Sequence, residues 1–181
     1  MSDGARRVEV AIHEAAHAIA ATLLGGRIHA ALLIDPPPSH GQLHGMTIFD
    51  ELAPGSDAQV TYAGSWAAAA LAAGRWPTSA QVFAILYPSA EAASSDWREL
   101  SKLGGTAAGL AVASLLWSAW PAVVELAAEL ERTGTVRHKD VCRALKIPPT
   151  DNGVHLSMIC SGAAPGSFTV TGVESFTTRP A

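Results

Sequence analysis

Near the start of the chain, His13-Glu14-Ala15-Ala16-His17 sets two imidazoles four residues apart. At that spacing on a helix, side chains lie on one face, one turn above each other. The flanking residues read as helix from about Asp3 to Leu24, with Asp3 as N-cap and Gly25-Gly26 as the C-terminal stop. Val8, Ile12, Ala15, Ile19 and Leu23 form a core-facing stripe, which leaves the histidines on a neighbouring face at the edge of the core. His13 and His17 can therefore offer two nitrogens to one Zn²⁺. Glu14, one position round, falls beside the metal, where a general base takes a proton from water.

Two histidines do not hold a catalytic zinc; a third protein ligand is needed. The position six residues after His17 is Leu23, so the metzincin pattern is absent. The acidic candidates downstream are Glu51, Asp57, Glu91, Asp96 and Glu99, and chemistry alone does not choose among them. Asp96 also reads as a helix cap, with Glu99 three residues on completing a capping box. His40 and His44 read as solvated or capping residues rather than ligands.

A chain of 181 residues fits one domain with a real core. Much of its 49% hydrophobic content is alanine, a helix former of little bulk. A net charge of −4 and the lack of a long basic run exclude nucleic acid as the main ligand. With only 15% charged residues, part of the surface is available to a partner or a second copy. Cys142 and Cys160 lack metal-type spacing and read as reduced, structural thiols of a cytoplasmic protein without a secretory signal. Leu103 to Val124 carries no charge and is long enough to span a bilayer. Its Ala, Gly, Ser and Thr content and Pro121 point instead to a buried helix followed by a second one from Pro121, with no membrane span.

Two β-prone runs, Arg27 to Ile34 and Leu43 to Phe49, flank a proline-rich loop and imply a small sheet on the first helix. In zinc peptidases such a sheet carries an edge strand onto which substrate is added by backbone pairing. Helices are expected from an Asp57 cap to Ala73, over Gln81 to Tyr87, from Ser94 through Leu100, from Pro121 to Arg132 and over Thr135 to Leu145. The fold class expected is mainly α with a small β-sheet. Residues 1–147 form the domain, and residues 148–181 an extended or partly disordered C-terminal tail.

Val10-Ala11-Ile12-His13-Glu14-Ala15-Ala16-His17-Ala18 resembles the signature of the FtsH-type zinc metalloproteases, the peptidase part of membrane-anchored AAA+ proteases. Further segments follow in the family's order. Leu43-His44-Gly45-Met46-Thr47 is similar to its strand ending in a Gly-aromatic-Thr step, and Tyr62 to Ala68 to its Gly-containing small-residue helix. Ala93-Ser94-Ser95-Asp96 is similar to its Gly-Ala-Ser-x-Asp segment, and Leu130 to Val136 to the end of its last long helix. The resemblance spans roughly residues 8 to 147. It implies a zincin-like FtsH-type peptidase fold, with Asp96 as the third ligand beside His13 and His17 to one Zn²⁺ per chain. Alanines stand where the family has acidic residues, around Ala68 and Ala69, and Ala16 replaces a glycine.

The chain carries no Gly-x-x-x-x-Gly-Lys-Ser/Thr phosphate loop, so it is not expected to use ATP itself. The leading expectation is a stand-alone zinc-dependent metalloendopeptidase cutting peptides or unfolded and flexible protein segments, with Glu14 as catalytic base. Self-association and a separate ATPase in trans both remain open. The alternatives are a non-catalytic zinc-binding interaction module of the same fold, and a protease with one dedicated target recognised through the tail.

Overall fold

The computed structural model describes residues 3–34, 44–50, 52–87, 94–150 and 153–168. The chain folds as a mainly helical protein with a small antiparallel sheet, arranged around its first helix. That helix, α1 (Asp3–Leu23), ends as the sequence expects: Gly25 takes a left-handed φ of 88°, and the Gly26 N–H bonds back to Ala21 O at 2.8 Å. Ile12, Ala15, Ile19 and Leu23 are buried, whereas Val8 at the open end is 36% exposed. Burial extends beyond that stripe to Ala11, Ala16, Ala18, Ala20 and Ala21, because partners cover the helix on several sides.

The chief partners of α1 are α2 (Ser56–Ala73) and α7 (Trp120–Thr133). In α2 the run Ala67 to Ala70 is at most 2% exposed, and α7 contributes the buried Leu126 and Leu130. The alanines thus serve the interior: side chains this small let helix backbones approach closely and still fill space. Helix α2 begins after Gly55 and leaves Asp57 exposed in its first turn, not at the cap the sequence suggested.

The sheet contains β1 (Ile28–Ile34), β2 (His44–Phe49) and β3 (Thr135–Val136), in the order β2-β1-β3. Ala31 pairs with Thr47 and Leu33 with Gly45, which sets the alternate residues Gly45, Thr47 and Phe49 on one side of β2. Met46 and Ile48 are the more exposed set, at 44% and 41%. Strand β2 lies at one edge of the sheet and packs on α1.

Short helices complete the fold: α3 (Ser79–Leu86), α4 (Ser95–Lys102), α5 (Thr106–Gly109), α6 (Val112–Ser118), α8 (His138–Ala144) and α9 (Val154–Cys160). Three expectations are corrected here. The uncharged stretch from Leu103 is not one long buried helix but α5 and α6, followed by α7. Gly109 at the break lies so close to Tyr62 that an added Cβ would sit 2.7 Å from its Cγ. Thr135 to Leu145 is not helical throughout: Gly134, at φ 73°, turns the chain so that Thr135 and Val136 pair with Leu32 and Ala31 before α8 begins. Within the segment expected to be an extended tail, α9 forms a helix. Its Ile159 is fully buried, and Leu156 and Phe168 pack against the core.

Both cysteines are thiols. Cys142 is buried; Cys160 is exposed, its S–H donating to Leu23 O at 3.3 Å, and partial burial pushes its pKa up. No helix among the described residues is long and apolar enough to cross a membrane.

Candidate metal centre

Helix α1 presents His13, Glu14 and His17 toward α2, α4 and β2. The His17 Nδ1–H donates to the Val60 carbonyl of α2 at 2.7 Å, which leaves Nε2 as the nitrogen with an available lone pair. That Nε2 faces His13 Nε2 at 3.0 Å, with the two rings edge to face. Asp96 arrives from the first turn of α4. Its Oδ2 lies 3.1 Å from His13 Nε2 and 3.6 Å from His17 Nε2, and accepts a bond from Ser65 Oγ at 3.2 Å.

The capping role considered for Asp96 belongs to another residue. Ser94 is the N-cap of α4, its hydroxyl accepting the Trp97 N–H at 3.1 Å. Glu99 completes no capping box; its carboxylate pairs with Lys102 at 2.7 Å. With the cap already satisfied, the Asp96 side chain is left to turn toward the histidines.

The three candidate ligand atoms lie within a few tenths of an ångström of the spacing a tetrahedral ion needs. Zinc bonds to nitrogen and oxygen of about 2.0–2.1 Å put neighbouring ligands about 3.3–3.5 Å apart. The separations here are 3.0, 3.1 and 3.6 Å, and all three atoms fall within 4.8 Å of one another. Two imidazole lone pairs and a carboxylate converging this closely repel unless a proton or a cation sits among them. Burial by itself would lower the His17 pKa, but Asp96, Glu14 and the Val60 carbonyl outweigh it and raise it to about 9. Burial would likewise raise Asp96, yet the imidazoles, His17 foremost, hold its carboxyl well below the usual carboxylate range. A metal ion would supply the positive charge that the proton on His17 otherwise provides.

Two glycines clear the space. A Cβ at Gly64 of α2 would fall 2.6 Å from His13 Nε2 and closer still to His17 Nε2. A Cβ at Gly45 of β2 would lie 2.6 Å from Glu14 Cδ. Glu14 itself is 5% exposed, and its Oε2 accepts the Thr47 hydroxyl at 2.7 Å. A cleft of about 360 Å³ opens over these groups, lined also by Met46, Phe49, Thr61 and Glu99. A second of about 440 Å³ adjoins it, sharing His13, Glu14 and Gly45 and running on to Arg6, Val10 and Ile85.

Of the other candidates, Asp57 is exposed at the start of α2, and Glu99 lines the cleft but is ion-paired. His44, exposed at the start of β2, lines the adjoining cleft and not the ligand group. Glu51, Glu91 and His40 lie outside the described residues. The sequence alone gave no role to the groups around His13, Glu14, His17 and Asp96: the Val60 carbonyl, Ser65, Gly64, Gly45 and Thr47. All but Val60 stand in segments that carry the family resemblance, and the glycine inside the alanine-rich helix α2 signals close approach there.

The chain matches no model of a known protein family and no curated protein sequence.

Proposed function

We infer that this chain is a zinc-dependent metalloendopeptidase of the FtsH type, with His13, His17 and Asp96 as the metal ligands and Glu14 as the general base. The observation that carries the reading is the meeting of Asp96, from the middle of the chain, with the two imidazoles of α1 at ligand spacing. The donor set, two neutral nitrogens and one carboxylate oxygen, suits Zn²⁺ and leaves a coordination position for water. When bound, the ion supplies Lewis acidity: it polarises a carbonyl and lowers the pKa of water.

The protein's own groups account for the remaining steps. The Val60 carbonyl fixes the tautomer of His17, and Ser65 orients Asp96. Glu14 takes a proton from the attacking water and passes it to the departing amine. Strand β2, at the sheet edge beside the cleft, offers backbone groups with which an extended substrate can pair. Two adjoining clefts that share Glu14 suit an extended chain bound through the site, and hence cleavage at internal bonds. The substrate class proposed is peptides and unfolded or flexible protein segments, and residues 1–147 contain all the reacting groups.

Metal analysis and an unfolded-protein cleavage assay test this together. The purified chain should carry one zinc; Asp96→Ala should lose it; Glu14→Gln should keep it and cleave nothing. Zinc retained by Asp96→Ala, or hydrolysis by Glu14→Gln, would refute the reading. Zinc without cleavage of any unfolded protein would instead favour a non-catalytic zinc-binding module.

A further inference from the structure

We propose that Thr47 is the positioning residue for Glu14: its hydroxyl holds Oε2 and leaves Oε1 as the oxygen that transfers the proton. The inference rests on the peptidase reading for its kinetic consequence, but the contact itself is independent of any metal. A glutamate side chain has three rotatable bonds and two equivalent oxygens, so its position along a helix does not say where its proton-accepting oxygen points. Here the side chain is 5% exposed, and two features of β2 fix it. Gly45 lies against it, where any side chain would collide. Two residues on, and therefore on the same side of the strand, Thr47 Oγ1 reaches Glu14 Oε2 at 2.7 Å and lies 3.2 Å from the Glu14 backbone carbonyl.

Donation to the charged acceptor is the stronger of these two contacts. The proton account then balances at one oxygen. An O–H bond of water breaks and the proton passes to Oε1; it then leaves Oε1 for the amine nitrogen as the peptide C–N bond breaks, and Glu14 is restored. Throughout, Oε2 keeps its bond from Thr47. Because the same strand would pair with the substrate backbone, β2 fixes the base and the bond to be cut in one frame.

The test uses the full chain, three single variants at positions 47 and 14, and one double variant. Thr47→Val keeps the shape of threonine without the hydroxyl, and Thr47→Ser keeps the hydroxyl. A bond to a charged group lost from the transition state should lower kcat of Thr47→Val roughly ten- to hundredfold, with KM and zinc content as in the wild type. Thr47→Ser should recover kcat to within about threefold. In urea unfolding, a double-mutant cycle between Thr47→Val and Glu14→Ala should show coupling of roughly tenfold in the unfolding constant.

A folded Thr47→Val with wild-type kcat, a folded Thr47→Ser as slow as Thr47→Val, or a cycle without coupling would overturn the proposal. If Thr47→Val does not fold, the kcat of Thr47→Ser decides. If the wild type itself cleaves nothing, it is the peptidase reading that fails. The cycle then decides separately whether Thr47 holds Glu14.

Discussion

Replacing Gly64 by alanine sets two effects against each other. In the interior of α2, Gly→Ala on helix propensity alone should stabilise the fold by about 1 kcal/mol. The new methyl, however, would stand 2.6 Å from His13 Nε2 and nearer to His17 Nε2. A comfortable carbon–nitrogen contact needs about 3.5 Å, so one or both rings must retreat by nearly an ångström. His17 resists that movement through its 2.7 Å bond to the Val60 carbonyl. Zinc tolerates ligand distances only within about 0.2 Å of ideal, so the variant should bind zinc at least roughly a hundredfold more weakly, about 2.7 kcal/mol. The assay is a zinc titration against a competing chelator, paired with urea unfolding of the metal-free chain. Wild-type zinc affinity in Gly64→Ala would refute the placement of the ion between these nitrogens. A collapse of the metal-free fold would show that Gly64 serves packing instead.

Other perturbations have definite signs. In the metal-free chain the His17 pKa rises from 6.5 to about 9 on folding, so its contribution to stability is full below pH 6.5 and is lost as pH rises through about 9. Asp96, depressed on folding, contributes above its ordinary value of 3.8 and loses that contribution as pH falls toward its folded pKa. Urea midpoints of the chelator-treated chain should therefore hold level between about pH 4 and 6.5 and then decline toward pH 9; Asp96→Asn should flatten that decline. Zinc must displace the His17 proton, so its affinity should rise with pH up to about 9, as a titration series would show. Ser65→Ala removes the hydroxyl that orients Asp96 and should weaken zinc roughly tenfold with little change in unfolding midpoint. Trp66, 1% exposed and edge-on to Trp76, Trp117 and Trp120, should cost about 3–5 kcal/mol in urea unfolding when replaced by alanine.

What could be read from the sequence was whatever depends on spacing along one element. His13, Glu14 and His17 share one helix whose C-terminal end is marked by two glycines, so their relation was fixed before any tertiary contact. Asp96 differs, because its partners lie on another helix. Locally it looked like a cap, and only the resemblance favoured it as a ligand. Ser94 takes the cap in the folded chain, a competition between neighbouring residues that propensity does not resolve. Strand β3 escaped notice because two residues carry no periodicity, and α9 because a seven-residue helix holding Val154, Ile159 and Cys160 has weak helical preference. Its helicity comes from burying Ile159, which is a tertiary effect. The alanines, legible in the sequence only as helix formers of little bulk, are in large part the material of the α1–α2 contact.

The central claim is a single ion held between helix α1 and the first turn of α4. X-ray data collected from zinc-grown crystals on both sides of the zinc absorption edge would locate it. One anomalous peak about 2.0–2.2 Å from His13 Nε2, His17 Nε2 and an Asp96 carboxylate oxygen is the expected result. No peak there, or an Asp96 carboxyl turned away from both rings, would contradict it.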